Sequence, residues 1–161
     1  MEGLVIRTAR PEDLEEVLRL WQQMVEFHAA CDPSLAMRTD AEAVESMRTY
    51  LQASLESPDG LLLVAEVAGI GGLVGYLLGH VRSVAPMAIP PTCGVISDIC
   101  VEESLRQRGI GRELFCAARD WFRERGQTLV RLHAATANPV SQAFWRAMGG
   151  VEQMVLMRIE I

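Results

Sequence analysis

The stretch Val95–Phe115, "VISDICVEESLRQRGIGRELF", decides how the chain is read. An apolar run ends in acidic residues. Three arginines and two glycines then fall within the seven residues Arg106–Arg112, and an apolar-periodic segment follows. The pattern is a strand handing over to a helix through a glycine-rich turn. Such a turn exposes backbone N–H groups, and the helix dipole adds about half a positive charge at the same point. Gly109 and Gly111 let the main chain approach a ligand closely, while Arg106, Arg108 and Arg112 supply forked donors suited to phosphate oxygens. A Gly-x-Gly alone says only "phosphorylated ligand"; its context has to say whose phosphates these are.

That context is an acidic protein. The chain has 161 residues and a formal net charge of −6, so one domain over 1–161 with a sizeable core is expected. Residues 1–59 hold 12 acidic groups against 5 arginines, whereas residues 102–131 hold 7 arginines against 5 acids. A basic island in an acidic chain points to a local anionic ligand; nucleic acid wants a broad basic face. The acidic first third reads as solvated helix faces before it reads as an attractor for a cationic substrate. All 15 basic side chains are arginine, which excludes a Gly-Lys-Ser/Thr phosphate loop and Schiff-base lysine chemistry. No apolar run approaches a membrane span and the N-terminus lacks the pattern of a secretory signal, so a soluble cytoplasmic protein is expected. Cys31, Cys93, Cys100 and Cys116 show no metal-ligand spacing, and no metal is expected.

Periodicity sets out the elements around this centre. Residues 4–9 alternate as a strand, and Pro11 opens a helix with Leu14, Val17, Leu18, Trp21, Val25 and His28 on one stripe. Asp40 is the N-cap of a second helix running to about Leu55. Residues 61–67 and 73–81 read as strands around a glycine-rich hairpin, 94–101 as a central strand, and Gly111–Arg125 as a helix stopped by Gly126. A strand over 129–135, a short helix from Asn138-Pro139 and a closing strand in "EQMVLMRIEI" complete the order βααβββαβαβ. This is an α/β (α+β) chain, with a mixed central sheet flanked by helices on both faces. Trp21, Trp121 and Phe122 read as core and His80 as structural. "GIGGLVG" is no dinucleotide fingerprint, because its glycines are misplaced and a strand follows.

Arg106-x-x-Gly109-x-Gly111 directly after "ISDICV" resembles the acetyl-CoA-binding motif of the GCN5-related N-acetyltransferase (GNAT) family. "IRTARPEDLEEVLRLW", "FHAACDP" and "LHAATANPVSQAFWRAMGG" are similar to its first strand and helix, its helix 1–2 junction, and its fifth strand with the helix after it. The resemblance spans nearly the whole chain and implies the acyl-CoA N-acyltransferase fold with acetyl-CoA as co-substrate. Backbone groups of Ile99, Cys100 and Val101 would then pair with the pantetheine arm where the fourth and fifth strands splay. The amides of Gln107, Arg108, Gly109, Ile110, Gly111 and Arg112 would hold the pyrophosphate. Asn138 and Ser141 would touch the pantetheine, and Phe144 and Trp145 would line its thiol end. The resemblance also implies direct acetyl transfer to an amine of a small molecule or peptide, with the thioester carbonyl polarised by the N–H of Cys100 or Val101.

The chain departs from the family pattern at Trp145, where many members carry a tyrosine as general acid. Indole does not transfer a proton near pH 7. A thiol of pKa ~8.5 is a fair leaving group, so the loss is survivable, but it leaves a non-catalytic acyl-CoA-binding or regulatory domain as the alternative. For the base that deprotonates the amine, Asp98 is the first candidate, followed by Glu66 and His133. His28 is read as a core or helix-end histidine, or as a wall of the acceptor pocket. Cys100, His133 and Asp98 make no persuasive nucleophilic triad, since a cysteine is often just a small buried hydrophobe. Homodimers are common in the resembled family, and the apolar C-terminal segment is one surface that would serve.

Overall fold

The computed structural model describes residues 3–159, arranged as one five-stranded sheet in the order β1-β2-β3-β4-β5 with helices on both faces. The strands are β1 Leu4–Thr8, β2 Gly60–Val67, β3 Gly75–Ser83, β4 Thr92–Val101 and β5 Val130–Arg131. The helices are α1 Leu14–Cys31, α2 Ala41–Glu56, α3 Ile110–Glu124 and α4 Pro139–Ala147. β1 to β4 form an antiparallel meander, and β5 joins β4 in parallel.

Each helix forms where its apolar stripe has a sheet face to cover. The stripe of α1 buries Leu14, Val17, Leu18, Trp21 and Val25 against Leu62, Val64, Tyr76 and Leu78 of β2 and β3. α2 joins that face through Leu51, and its first turn is capped by Asp40, whose carboxylate accepts from the Ala43 N–H at 3.0 Å. The opposite face carries α3, with Ile110, Leu114, Ala118 and Phe122 packed on Leu61, Leu63, Ala65, Leu77 and Ile96. The approach is close: a Cβ at Gly94 would meet the Phe122 ring at 2.7 Å, so β4 needs a residue without a side chain there. No helix among the described residues is long and apolar enough to cross a membrane.

Two expected elements differ. The strand expected over 129–135 is reduced to two residues, because β4 turns away from it after Val95. The C-terminal segment was expected to close the sheet, yet residues 151–159 form no strand. After α4 the chain turns at Gly149 (φ 91°), and the Arg158 side chain then donates to the Ser34 carbonyl at the α1–α2 junction. Val151, Met154, Val155, Leu156, Met157 and Ile159 stand at least 80% exposed. Strand propensity registers fit to a pleated surface, and apolar character alone does not tell whether a sheet edge lies within reach.

Candidate active site

The site is built where β4 and β5 part. Their pairing consists of Gly94 with Val130 and Val95 with Arg131, and β4 then runs on alone along that edge to Val101. The register with β3 fixes which backbone groups face the gap. The Glu102 N–H donates to the Val74 carbonyl at 2.9 Å, and Cys100 stands opposite Tyr76 in the same register. Hydrogen-bonded and non-bonded pairs alternate along an antiparallel ladder. The N–H of Cys100 therefore points at β3, whereas the backbone groups of Ile99 and Val101 point into the gap. Of the two N–H groups considered for the thioester carbonyl, that of Val101 faces the gap and that of Cys100 faces β3.

A bulge in β4 decides the side chains. Leu78 pairs with Asp98 and Gly79 with Ile96, which leaves Ser97 as the extra residue. The insertion turns Ile96 toward α3 and Asp98 toward α1, although the two are separated by only one residue. Asp98 Oδ2 lies 3.4 Å from the hydroxyl of Tyr76, which also reaches Met24 Sδ at 3.9 Å. Burial pushes the Asp98 carboxyl up to about 6, partly offset by the Tyr76 hydrogen bond. The same burial, with the nearby Asp98 charge, raises the Tyr76 phenol well above its ordinary value, so it is a neutral donor. Cys100 is buried beside this pair; its Sγ donates to the Leu20 carbonyl at 3.4 Å, and burial pushes its thiol up to about 11. That thiol is not a nucleophile near neutral pH. Glu66 is bound to Arg7, together with Asp13, in an ion network across β1 and β2, while His133 is exposed.

At the mouth of the gap, the chain leaves β4 through a single turn, Glu103–Leu105, and enters α3 at Ile110. Leu105 and Ile110 are buried and pin the ends of the connection, whereas Gln107, Arg108 and Gly109 are exposed. Gln107 (φ 61°) and Gly109 (φ 89°) both adopt the left-handed conformation, which glycine accepts and glutamine resists. The first-turn N–H groups of α3 have no acceptor inside the helix. A Cβ at Gly111 would meet Phe144 at 3.4 Å and Val101 Cγ2 at 3.8 Å, so this position looks into the cleft between β4 and α4. Arg108 and Arg112 are exposed around the cradle. Arg106 departs from the expected arrangement: its Nε donates to the Val101 carbonyl at 3.1 Å, and its guanidinium lies over the Phe27 ring.

The far wall is α4. Asn138 is buried and its Oδ1 accepts from the Ser141 N–H at 3.0 Å, so the pair forms the helix cap and fixes how α4 faces the cleft. Trp145 is packed more deeply than Phe144. Its ring is buried, edge-on to Phe115 of α3 at 5.6 Å and to Phe144 at 4.8 Å, so it packs the core while Phe144 meets Gly111. A nine-residue helix has one apolar face, and the indole occupies it. His28 sits near the end of α1, half-buried, and burial lowers its pKa below the ordinary value. Sequence reading missed Tyr76 and Phe27. Neither stands in a motif, and only the pairing of β3 with β4 and the packing of α1 across the loop bring them in.

Comparison with known proteins agrees with this geometry. The model of the acetyltransferase (GNAT) family matches residues 21–149. Among curated proteins none matches the chain. A tetramutant of the BH1408 protein from Bacillus halodurans shares the fold with TM-score 0.81 and 24% identity, over 98% of this chain and 99% of that one. An aminoglycoside N-acetyltransferase, AAC(6')-Iy in complex with CoA, is similar with TM-score 0.75 and 19% identity over 98% and 95% of the two chains. The aminoglycoside 6'-N-acetyltransferase AAC(6')-IG from Acinetobacter haemolyticus matches with TM-score 0.73 and 21% identity over 98% and 99%. With a sheet that opens beside β4, a glycine-arginine turn at its mouth and a family model matching most of its length, the chain belongs to the acetyltransferase (GNAT) family and is an acetyltransferase.

Proposed function

We propose that the protein transfers an acetyl group from acetyl-CoA directly to an amine of a small molecule. The observation that carries this reading is the parting of β4 from β5 after Val95 and Arg131, with the α3 cradle at its mouth. An extended pantetheine arm fits the free edge of β4 as an added strand on the backbone groups of Ile99. This leaves the Val101 N–H for the thioester end, the Val101 carbonyl being held by Arg106. The amides of Gln107 to Arg112 face the pyrophosphate, with Arg108 and Arg112 adding charge. Phe144 flanks the arm opposite Gly111.

The chemistry uses groups carried by β4. The amine nitrogen attacks the thioester carbon, the carbonyl oxygen accepts a hydrogen bond from the Val101 N–H, and the C–S bond breaks. An alkylamine of pKa ~10.4 is almost wholly protonated at pH 7, so a base is required. Asp98 takes that proton. A carboxyl poised at about 6 is ionised at pH 7 yet far more basic than an exposed aspartate, and the Tyr76 hydroxyl holds it in place. The departing thiolate leaves without an acid from the protein, since Trp145 is buried and a thiol of pKa ~8.5 is a tolerable leaving group. The second proton, which the nitrogen sheds as the amide forms, passes to solvent, from which the thiolate is protonated. A poised carboxylate beside the cleft favours an enzyme over a passive acyl-CoA-binding domain.

The amine class is drawn from two features. Two proteins that share the fold are aminoglycoside N-acetyltransferases, and the first 59 residues carry net charge −7. The test is chromatographic detection of acetylated product and free CoA against a panel of aminoglycosides, polyamines, amino acids and short peptides. Acceptor-dependent turnover with a small amine supports the proposal. CoA binding with no turnover across the panel overturns it in favour of the binding domain.

A further inference from the structure

Arg106 is the first residue of the motif that marks the phosphate cradle, yet its side chain turns back from the loop. The Nε–H is spent on the Val101 carbonyl at 3.1 Å, at the last residue of β4. The guanidinium carbon stands 4.8 Å from the centroid of Phe27, on the last turns of α1. Phe27 in turn adjoins His28, their ring centroids 6.3 Å apart. One side chain thus touches the end of the strand that borders the cleft, the start of the cradle loop and the helix carrying the acceptor-side histidine.

We infer that Arg106 is a positioning residue rather than a phosphate ligand, and that it works with Phe27 as a brace coupling the end of α1 to the shape of the cradle. The inference rests on the acetyl-CoA cleft proposed above. Its physical ground is the loop itself. Gln107 follows Arg106 directly and holds a left-handed backbone that glutamine resists, and it is exposed along with Arg108 and Gly109. A conformation of that kind persists only where its surroundings over-determine it. On the α1 side, the hydrogen bond and the stacked guanidinium are what hold the residue before it. Loosening them lowers the fraction of molecules whose amides converge, and apparent affinity for a ligand falls by that fraction. The coupling is reciprocal: a ligand that settles the cradle must also steady the end of α1.

The test measures CoA binding to the full chain by calorimetry for Phe27→Leu, Phe27→Trp, Arg106→Met and the Phe27→Leu/Arg106→Met double variant. Thermal unfolding checks that each is folded. Amide hydrogen exchange over residues 24–31 is followed with and without CoA. Phe27→Leu and Arg106→Met are each expected to weaken CoA about three- to tenfold, the range of a half-exposed cation–π contact. The double variant should be no weaker than the worse single, and Phe27→Trp should bind like wild type. CoA should slow exchange at the end of α1 in wild type and not in Phe27→Leu. A folded Phe27→Leu with wild-type affinity overturns the brace, as does a double variant in which the two losses add in full. Gly111→Trp separates this failure from failure of the cleft reading. If Gly111→Trp folds and still binds CoA, the cleft assignment falls. If it abolishes binding while Phe27→Leu does not, the brace alone falls.

Discussion

Replacing Asp98 with asparagine should make the protein more stable and less active at once. The carboxyl is raised from 3.8 to about 6, chiefly by burial. A carboxyl with a higher pKa folded than unfolded binds its proton more tightly in the folded state. The Asp98 contribution to stability is therefore most favourable below pH ~4 and falls as pH rises between about 4 and 6. A shift of roughly two units corresponds to about 3 kcal/mol, reduced to about 1–3 kcal/mol because Asp98 keeps some contact with solvent. Asparagine has the shape of the protonated acid and carries no charge to desolvate, and it still accepts from Tyr76. At pH 7, Asp98→Asn should gain that amount, a rise in Tm of about 3–10 °C for a chain of this size. The gain should vanish near pH 4, where the wild-type carboxyl is protonated in both states. Activity should move the other way: loss of a general base costs about 10²–10⁴-fold in turnover. The wild-type rate should fall tenfold per pH unit below about 6, and the variant should lack that limb. Calorimetric unfolding from pH 4 to 8 and steady-state turnover over the same range read both effects. A variant that is no more stable at pH 7 than wild type, or that retains wild-type turnover, refutes the assignment.

Other perturbations separate roles in and around the site. Cys100→Ala should cost about 1 kcal/mol for a small buried side chain and keep turnover within an order of magnitude. A loss comparable to that of Asp98→Asn would reinstate the thiol as a reactive group. His28, neutral at pH 7 because burial lowers its pKa, should behave as a wall of the acceptor pocket. His28→Leu should then raise the acceptor KM while calorimetry finds CoA affinity unchanged. Far from the cleft, Arg7 donates to Asp13 at 2.6 and 2.9 Å and to Glu66, and its hydrogen bonds to Asp13 hold that buried carboxyl below the usual range. Arg7→Met should cost about 2–3 kcal/mol in thermal unfolding at pH 7 by stranding Asp13. Because the Asp13 pKa is lower folded than unfolded, that difference should shrink as the pH falls below about 4.

The part of this protein written along the chain is its local chemistry. The run from Val95 to Phe115 changes period from strand to helix around two glycines and three arginines, and that places a phosphate cradle at a helix N-terminus with no tertiary knowledge. The apolar stripe of α1, the Asp40 cap and the Gly126 stop are local in the same sense. Pairing and facing are not local. A two-residue β5, and with it the cleft, follows from β4 leaving its neighbour after Val95. The bulge at Ser97 sends Asp98 to the Tyr76 side of the sheet, and the ladder register turns the Val101 N–H into the gap and that of Cys100 away from it. Arg106 meets Phe27 only because α1 packs across the end of β4, and the C-terminal segment, apolar like a strand, pairs with no strand over residues 151–159. Period and propensity act over a few neighbouring residues, so the sequence shows which groups are present. Which of them meet is set by how strands register and helices pack.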